Sequence, residues 1–184
     1  MDKKELRRYI RAEKKKYSSA ELARLSAEIV QVLLRHHRVI EAQTILLYHA
    51  LPDEVDTTAL LSALQSRGKT LFLPKVISDT DMTIHRYHGE ETLRKDDSFG
   101  IMEPDNAPFT DFSSIDLMII PGMAFDDKCH RLGRGKGYYD RFLAQVPADK
   151  YKIGVCFPFQ MLPEVPSEAT DVLMDEVVSG GNMG

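Results

Sequence analysis

Between an apolar run at residues 117–120 and a helical pattern carried by Tyr138, Phe142 and Leu143 lies the segment Arg131-Leu132-Gly133-Arg134-Gly135-Lys136-Gly137-Tyr138-Tyr139-Asp140. A buried strand, a glycine-rich turn and a helix, in that order, direct the chain toward an α/β architecture, which uses this arrangement to hold phosphates. The glycines let backbone amides come close to a ligand. Arg131, Arg134 and Lys136 supply the charge that a phosphate attracts, and a helix starting near Gly137 points its N-terminal dipole at the same place. The segment reads as an anion pocket for a nucleotide phosphate. A solvated basic turn is the alternative that these residues alone leave open. The motif is not a Walker A loop, because Gly137 rather than Ser or Thr follows Lys136. It is not the dinucleotide fingerprint either, whose third glycine is missing at the required spacing.

The rest of the pattern extends this architecture. Strands are expected at residues 44–48, 70–73, 117–120 and 152–156, with a short last one within 172–178 and an edge strand at 82–87. Residues 3–17 form a helix with eight Lys or Arg and a narrow buried face of Leu6, Tyr9, Ile10 and Ala12. Ser18 and Glu21 make a capping box for a second helix carrying Leu22, Leu25, Ile29, Val32 and Leu33. A third helix bears Leu60, Leu61 and Leu64, capped by Asp56 or Thr57 and stopped at Gly68. Residues 89–114 are polar, contain Pro104 and Pro108, and read as a long surface loop. Strands alternating with helices predict one α/β domain over residues 1–184, with a mostly parallel sheet covered on both faces. Ligands bind beyond the carboxyl ends of such strands, so the loops after Tyr48, Leu73 and Ile120 should meet at one cleft.

Composition narrows the function. A net charge of -4 argues against general nucleic-acid binding. Cys129 and Cys156 make no disulfide framework and read as free thiols of a reducing cytoplasm. No apolar run reaches membrane-spanning length, and no apolar stretch follows the basic N-terminus as a secretory signal would require. Glu54 suits a hydrogen bond to the amide-like edge of a heterocycle, or simply the N-terminus of the third helix. Asp140 and Asp175 could share a magnesium ion; alternatively Asp140 pairs with Arg141 or Lys136, and Asp175 is a turn residue. Lys3 and Arg7 are spaced to face one way over a nucleotide, or belong to a solvated basic face or an RNA or anionic-membrane patch. The histidines form no metal-binding constellation, and no nucleophile–base pair can be read.

The segment Met118-Ile119-Ile120-Pro121-Gly122-Met123-Ala124-Phe125-Asp126, followed by residues 131–141, resembles the signature of the 5-formyltetrahydrofolate cyclo-ligase (methenyltetrahydrofolate synthetase) family. The likeness runs over nearly the whole chain. Residues 3–7 resemble the family's nucleotide-contacting N-terminus, Asp53-Glu54-Val55-Asp56-Thr57 its folate-side acidic motif, Phe99-Gly100-Ile101-Met102-Glu103-Pro104 its aromatic loop, and Met174-Asp175-Glu176-Val177-Val178 its C-terminal end. The chain departs from that pattern at Cys129, where glycine is usual, and at Met102, where proline is frequent. Cys129 implies a turn before Arg131 of different shape.

This resemblance implies a three-layer α/β/α fold like that of ribose-5-phosphate isomerases and CoA transferases. It also implies that ATP and 5-formyltetrahydrofolate become ADP, phosphate and 5,10-methenyltetrahydrofolate, with magnesium required. Lys3, Lys4, Glu5, Leu6 and Arg7, together with Arg131, Leu132, Gly133, Arg134, Gly135, Lys136, Gly137, Tyr138 and Tyr139, would hold ATP. His49, Glu54 and Phe99 would contact folate, with Arg134, Gly135, Lys136, Gly137 and Tyr138 against the folate and the transferring phosphate. Arg134 and Lys136 would neutralise the transition state, and Asp140 and Asp175 would hold Mg2+. The expected protein is a cytoplasmic monomer acting on small molecules, without nucleic acid or membrane. A sugar-phosphate isomerase of the same fold and a nucleic-acid module using Lys3, Arg7 and Arg11 are the rival readings.

Overall fold

The computed structural model describes residues 1–95, 102–104 and 107–180. Among the described residues five α-helices form: α1 (Lys3–Lys14), α2 (Ser19–Arg35), α3 (His37–Glu41), α4 (Thr58–Ser66) and α5 (Tyr138–Leu143). The strands are β1 (Thr44–Leu46), β2 (Thr70–Val76), β3 (Met82–Arg86), β4 (Leu93–Lys95), β5 (Met102–Pro104), β6 (Pro108–Phe109), β7 (Leu117–Pro121), β8 (Ala124–Phe125), β9 (Arg131–Leu132), β10 (Tyr151–Val155) and β11 (Glu176–Val178). Seven of them make the main sheet, in the order β11-β10-β7-β1-β2-β3-β6. The pairs from β11 through β2 are parallel, whereas β3 runs antiparallel to both β2 and β6.

Side-chain alternation divides the core between the two faces of this sheet. Ile45, Leu71, Leu117, Ile119 and Ile153 point one way and pack with Ile29 and Leu33 of α2, Val39 of α3 and Leu60, Leu61 and Leu64 of α4. Leu46, Phe72, Met118 and Ile120 point the other way, toward Phe142 and Leu143 of α5. Every residue of β7 is buried, as a central parallel strand covered on both faces requires. Helix α1 joins neither cluster. Its Leu6 and Ile10 pack on Met123, Ala124, Leu132 and Val165, beside the β8–β9 hairpin.

The caps obey their chemistry. Ser18 and Glu21 form the reciprocal capping box. Asp56 caps α4 by accepting from the Thr58 amide at 2.9 Å. Thr57 Oγ1 instead donates to the Tyr48 carbonyl at 2.6 Å, tying the exit of β1 to the start of α4. Several expectations need correction. The first helix ends at Lys14 rather than residue 17. Its buried stripe is Leu6, Ile10 and Lys14, while Tyr9 is exposed. Strand β3 is not the edge, because β6 pairs outside it. The expected loop at 89–114 holds β4, β5 and β6, strands of only two or three residues, too short to show a period. Phe99 lies outside the described residues.

The β8–β9 hairpin turns about one buried carboxylate. Asp126 is 1% exposed. Its Oδ1 accepts from the amides of Lys128 and His130, each at 3.0 Å, and its Oδ2 from the Val165 amide at 2.9 Å, with His130 Nδ1 at 2.8 Å. Burial alone would push this carboxyl up, but the Val165 amide and His130 more than offset it and hold the group below its ordinary value. A depressed carboxyl contributes stability that is present above the unfolded value of 3.8 and lost as pH falls through the folded value. Removing it strands buried donors. Asp126→Ala is expected to lower unfolding free energy by about 3 kcal/mol near neutral pH. Urea titrations should show the gap to wild type narrowing as the solution is made more acid than pH 3.8. Equal midpoints at neutral pH would contradict this role.

Candidate active site

A cleft of about 1450 Å³ opens at the carboxyl ends of the central strands. Tyr48, His49, Leu51 and Glu54 reach it after β1, Pro74 and Val76 from β2, and Pro121 and Gly122 from the end of β7. The segments after Tyr48 and Ile120 meet here as expected, whereas after Leu73 the chain is still strand, so the end of β2 rather than a loop supplies Pro74 and Val76. Lys3, Lys4 and Arg7 of α1 form a further wall, and residues 133–141 form the floor together with Arg131.

The glycine loop is fastened at four points. Arg131 Nε donates to the Pro121 carbonyl at 2.6 Å, and its guanidinium lies over the Tyr139 ring at 4.8 Å. Arg7 Nε donates to the Gly133 carbonyl at 2.8 Å, which ties α1 to the loop. Arg141 donates through Nη2 to the Lys136 carbonyl at 2.5 Å and through Nε to the Thr80 carbonyl at 2.6 Å. Tyr138 donates to the Ser78 carbonyl at 3.0 Å, so the β2–β3 turn braces the same loop. Gly135 and Gly137 have φ of 108° and 71°, the left-handed region that side chains disfavour. Cys129 itself takes φ of 68°, the conformation that a glycine would supply.

The cations of the cleft differ in their commitments. Lys3 Nζ lies 2.7 Å from Asp171 Oδ2 and 3.4 Å from Glu168 Oε1. Burial opposes its charge, but the Asp171 partner raises its pKa above the ordinary lysine value. Arg134 Nη2 lies 2.9 Å from Asp53 Oδ1 and 3.4 Å from Glu54 Oε2. Burial lowers the Arg131 pKa somewhat, with Tyr139 and Asp140 acting against it; an arginine keeps its charge regardless. Lys136, exposed on the floor, makes no side-chain hydrogen bond or ion pair with any described residue. Burial drives the Tyr139 hydroxyl well above its usual range, so it remains a neutral donor.

The remaining expected residues divide. Glu54 lines the cleft, and its Oε1 accepts from the Leu51 amide at 2.8 Å. His49 lines it too, with Nε2 at 2.5 Å from Glu90 Oε1. Asp140 lines it with Oδ1 on the Val172 amide at 3.1 Å, leaving Oδ2 uncommitted among the described residues. Asp175 is not part of the lining; its Oδ2 accepts from the Lys152 amide at 2.8 Å, at the sheet edge. Among the described residues, no group of three or more His, Cys, Asp or Glu is arranged to hold a metal. Leu6 and Leu132 are core residues that support the wall rather than face the cleft, and Glu5 also stands outside the lining.

Sequence reasoning missed three features. Residues 166–171 line the cleft beside the start of α1, where Asp171 and Glu168 pair with Lys3, and only an unremarkable polar composition marks them. Asp126 carried a usable signal, an aspartate opening a polar turn whose side chain can bond amides two residues on. Lys14 falls on the Leu6–Ile10 stripe, at a spacing that buries it.

Residues 1–180 match the family model described as the 5-formyltetrahydrofolate cyclo-ligase family. The chain is 32% identical over 152 residues to a probable 5-formyltetrahydrofolate cyclo-ligase of Schizosaccharomyces pombe, covering 74% of each chain. An NMR structure of Aquifex aeolicus 5,10-methenyltetrahydrofolate synthetase superposes with a TM-score of 0.83 at 34% identity, covering 97% of this chain and 90% of that one. A 5,10-methenyltetrahydrofolate synthetase from Mycoplasma pneumoniae gives a TM-score of 0.78 at 28% identity, covering 97% and 98%. The chain belongs to the 5-formyltetrahydrofolate cyclo-ligase family.

The loop geometry generates its own test. The nearest atoms to a Cβ at Gly135 would be those of the Arg7 guanidinium, at the ordinary contact distance of 3.5 Å, so the obstacle to a side chain there is the backbone conformation. Gly135→Ala is expected to cost about 1–3 kcal/mol of strain or to reshape the loop, with turnover falling on the order of a hundredfold. Thermal unfolding and kcat/KM measured side by side check this. Wild-type kinetics in the variant would show that the left-handed turn is dispensable.

Proposed function

We propose that this cyclo-ligase family member uses ATP to close 5-formyltetrahydrofolate to 5,10-methenyltetrahydrofolate, releasing ADP and phosphate. The carrying observation is a floor of glycines with an uncommitted lysine, Lys136, facing a wall that bears Glu54 and His49. Phosphates would lie on the amides of residues 133–139, between Lys136, Arg134 and the α1 cations Lys3, Lys4 and Arg7. The folate would lie toward Glu54, which has carboxylate capacity left to accept from N–H groups of a pterin edge, and toward His49.

A formyl oxygen is a poor leaving group, and phosphorylation makes it a good one. The oxygen attacks the γ-phosphorus as the N5 lone pair forms a C=N bond, and ADP leaves. N10 then adds to that carbon and loses its proton, and phosphate departs with the C–O bonding pair. Nothing in this sequence needs a covalent protein nucleophile. It needs in-line positioning and neutralisation of charge on the transferring group, and Lys136 and Arg134 suit that task. The bond of Arg131 to the Pro121 carbonyl and its stacking on Tyr139 would keep the amide cradle in place before substrate arrives.

A magnesium ion fits this donor set in part, since it takes one or two carboxylates with phosphate oxygens and water. Asp140, with an oxygen to spare in the cleft, would hold it, and it would neutralise charge on the phosphates; Asp175, committed to the Lys152 amide, contributes less readily. The same reading makes the protein a cytoplasmic monomer that acts on small molecules.

The methenyl product absorbs in the near ultraviolet, which 5-formyltetrahydrofolate does not. Absorbance should rise only when ATP, magnesium and 5-formyltetrahydrofolate are all present. No rise, or a rise without nucleotide, would refute the reading. Lys136→Ala should lower kcat about 10²–10³-fold with its circular dichroism unchanged; a fully active variant would remove Lys136 from the chemistry.

A further inference from the structure

Helix α1 carries one lysine unlike its others. The side chain of Lys14 is only 5% exposed, and its Nζ has no hydrogen-bond partner among the described residues. Among the described residues its one carboxylate neighbour within ion-pair reach is Asp53, whose Oδ2 lies 3.3 Å away. The other oxygen of Asp53, Oδ1, accepts from Arg134 Nη2 at 2.9 Å, and Glu54 Oε2 stands 3.4 Å from that same nitrogen. One carboxylate is thus shared by a buried cation and by the cation of the glycine loop.

Burying a lysine that completes no hydrogen bond is unfavourable, and a methionine would fill the same stripe of α1 without that penalty. We propose that Lys14 is a positioning residue that acts through Asp53 and keeps Arg134 free to leave its carboxylates for a phosphate. The proposal rests on the reading that phosphates bind at residues 133–139. Electrostatics gives the reason. Lys14 cancels part of the field that Asp53 exerts on Arg134, so the guanidinium is held less tightly. When Arg134 turns to a phosphate, Lys14 remains to neutralise Asp53 beside Glu54. Without Lys14, that departure would leave two adjacent carboxylates with no nearby cation, an arrangement that resists ionisation. The protonation behaviour of the cluster agrees. Burial pushes the Asp53 carboxyl up, yet Lys14 and then Arg134 bring it below its ordinary value.

The test pairs charge removal with its compensation. Lys14→Met keeps an unbranched apolar stem and removes the charge, so a purely packing role predicts no change in kinetics. Our account predicts that KM for ATP, and the Kd for ATP measured calorimetrically without folate, both rise about tenfold while kcat stays within about twofold. Adding Asp53→Asn to Lys14→Met should return both constants to within about threefold of wild type. An unchanged Kd in Lys14→Met, or a double variant no better than the single one, overturns the proposal. Should Lys14→Met fail to fold by thermal unfolding, Asp53→Asn alone decides. It should bind ATP at least as tightly as wild type, and about tenfold weaker binding contradicts the idea. A wild-type protein that neither binds ATP nor turns over would sink the functional reading and this inference together; a wild type that turns over beside an equally competent Lys14→Met sinks the inference alone.

Discussion

The buried carboxylate of Asp126 sets the geometry from which the cleft follows. Its two oxygens gather three backbone amides and one imidazole around a five-residue turn, and one of those amides, of Val165, belongs to a distant segment. That turn returns the chain antiparallel to β8, so that β9 delivers Arg131 beside the end of β7. From there the glycine loop has little freedom in where it starts. The third apolar cluster, in which Leu6 and Ile10 of α1 lie on Ala124 and Leu132, then brings the basic helix to the same spot. A helix rich in positive charge is thus docked beside the cleft by apolar contacts, and its Lys3, Lys4 and Arg7 line that cleft.

Charge in the cleft is arranged in graded commitments. Lys3 is held by Asp171 and Glu168, Arg134 by Asp53 and Glu54, Arg7 by a loop carbonyl, and Lys136 by no described residue. Pairing keeps a concentrated set of cations from repelling one another before an anion arrives, and it fixes their positions. An anion entering the cleft would have to compete with the carboxylates for Arg134, whereas Lys136 is held by no described residue. The proposed phosphoryl transfer would benefit from this order, because charge-stabilising groups already in place need little reorganisation. The same grading explains how Lys14, which does not line the cleft, can influence events inside it.

Much of this was legible in the order of residues. Strand, glycine turn and helix around residues 117–143 pointed to the cleft at the carboxyl ends of the strands, and Lys3 and Arg7, four residues apart, both line it. The parallel sheet followed from apolar runs such as β7, whose burial on both faces shows in its unbroken hydrophobicity. What stayed hidden depends on tertiary contact. The two residues of β6 carry no period, and residues 166–171 acquire meaning only because Val165 is bonded to Asp126. Lys14 reads as one more charge of a basic helix until its position on the Leu6–Ile10 stripe is followed inward. Of the two acidic residues expected to share a metal, Asp140 reaches the cleft while Asp175 serves the sheet edge, just before β11 begins its pairing with β10.

The central claim is that residues 133–139 form the cradle for a triphosphate. Amide chemical shifts followed during titration with ATP test it without relying on turnover. The account predicts saturable shifts concentrated at Gly133, Gly135, Lys136 and Gly137, with Lys3 and Arg7 responding at the same ligand concentrations. Shifts that leave this loop untouched and gather at the opposite end of the sheet, around His36, Tyr151 and Glu176, would contradict it.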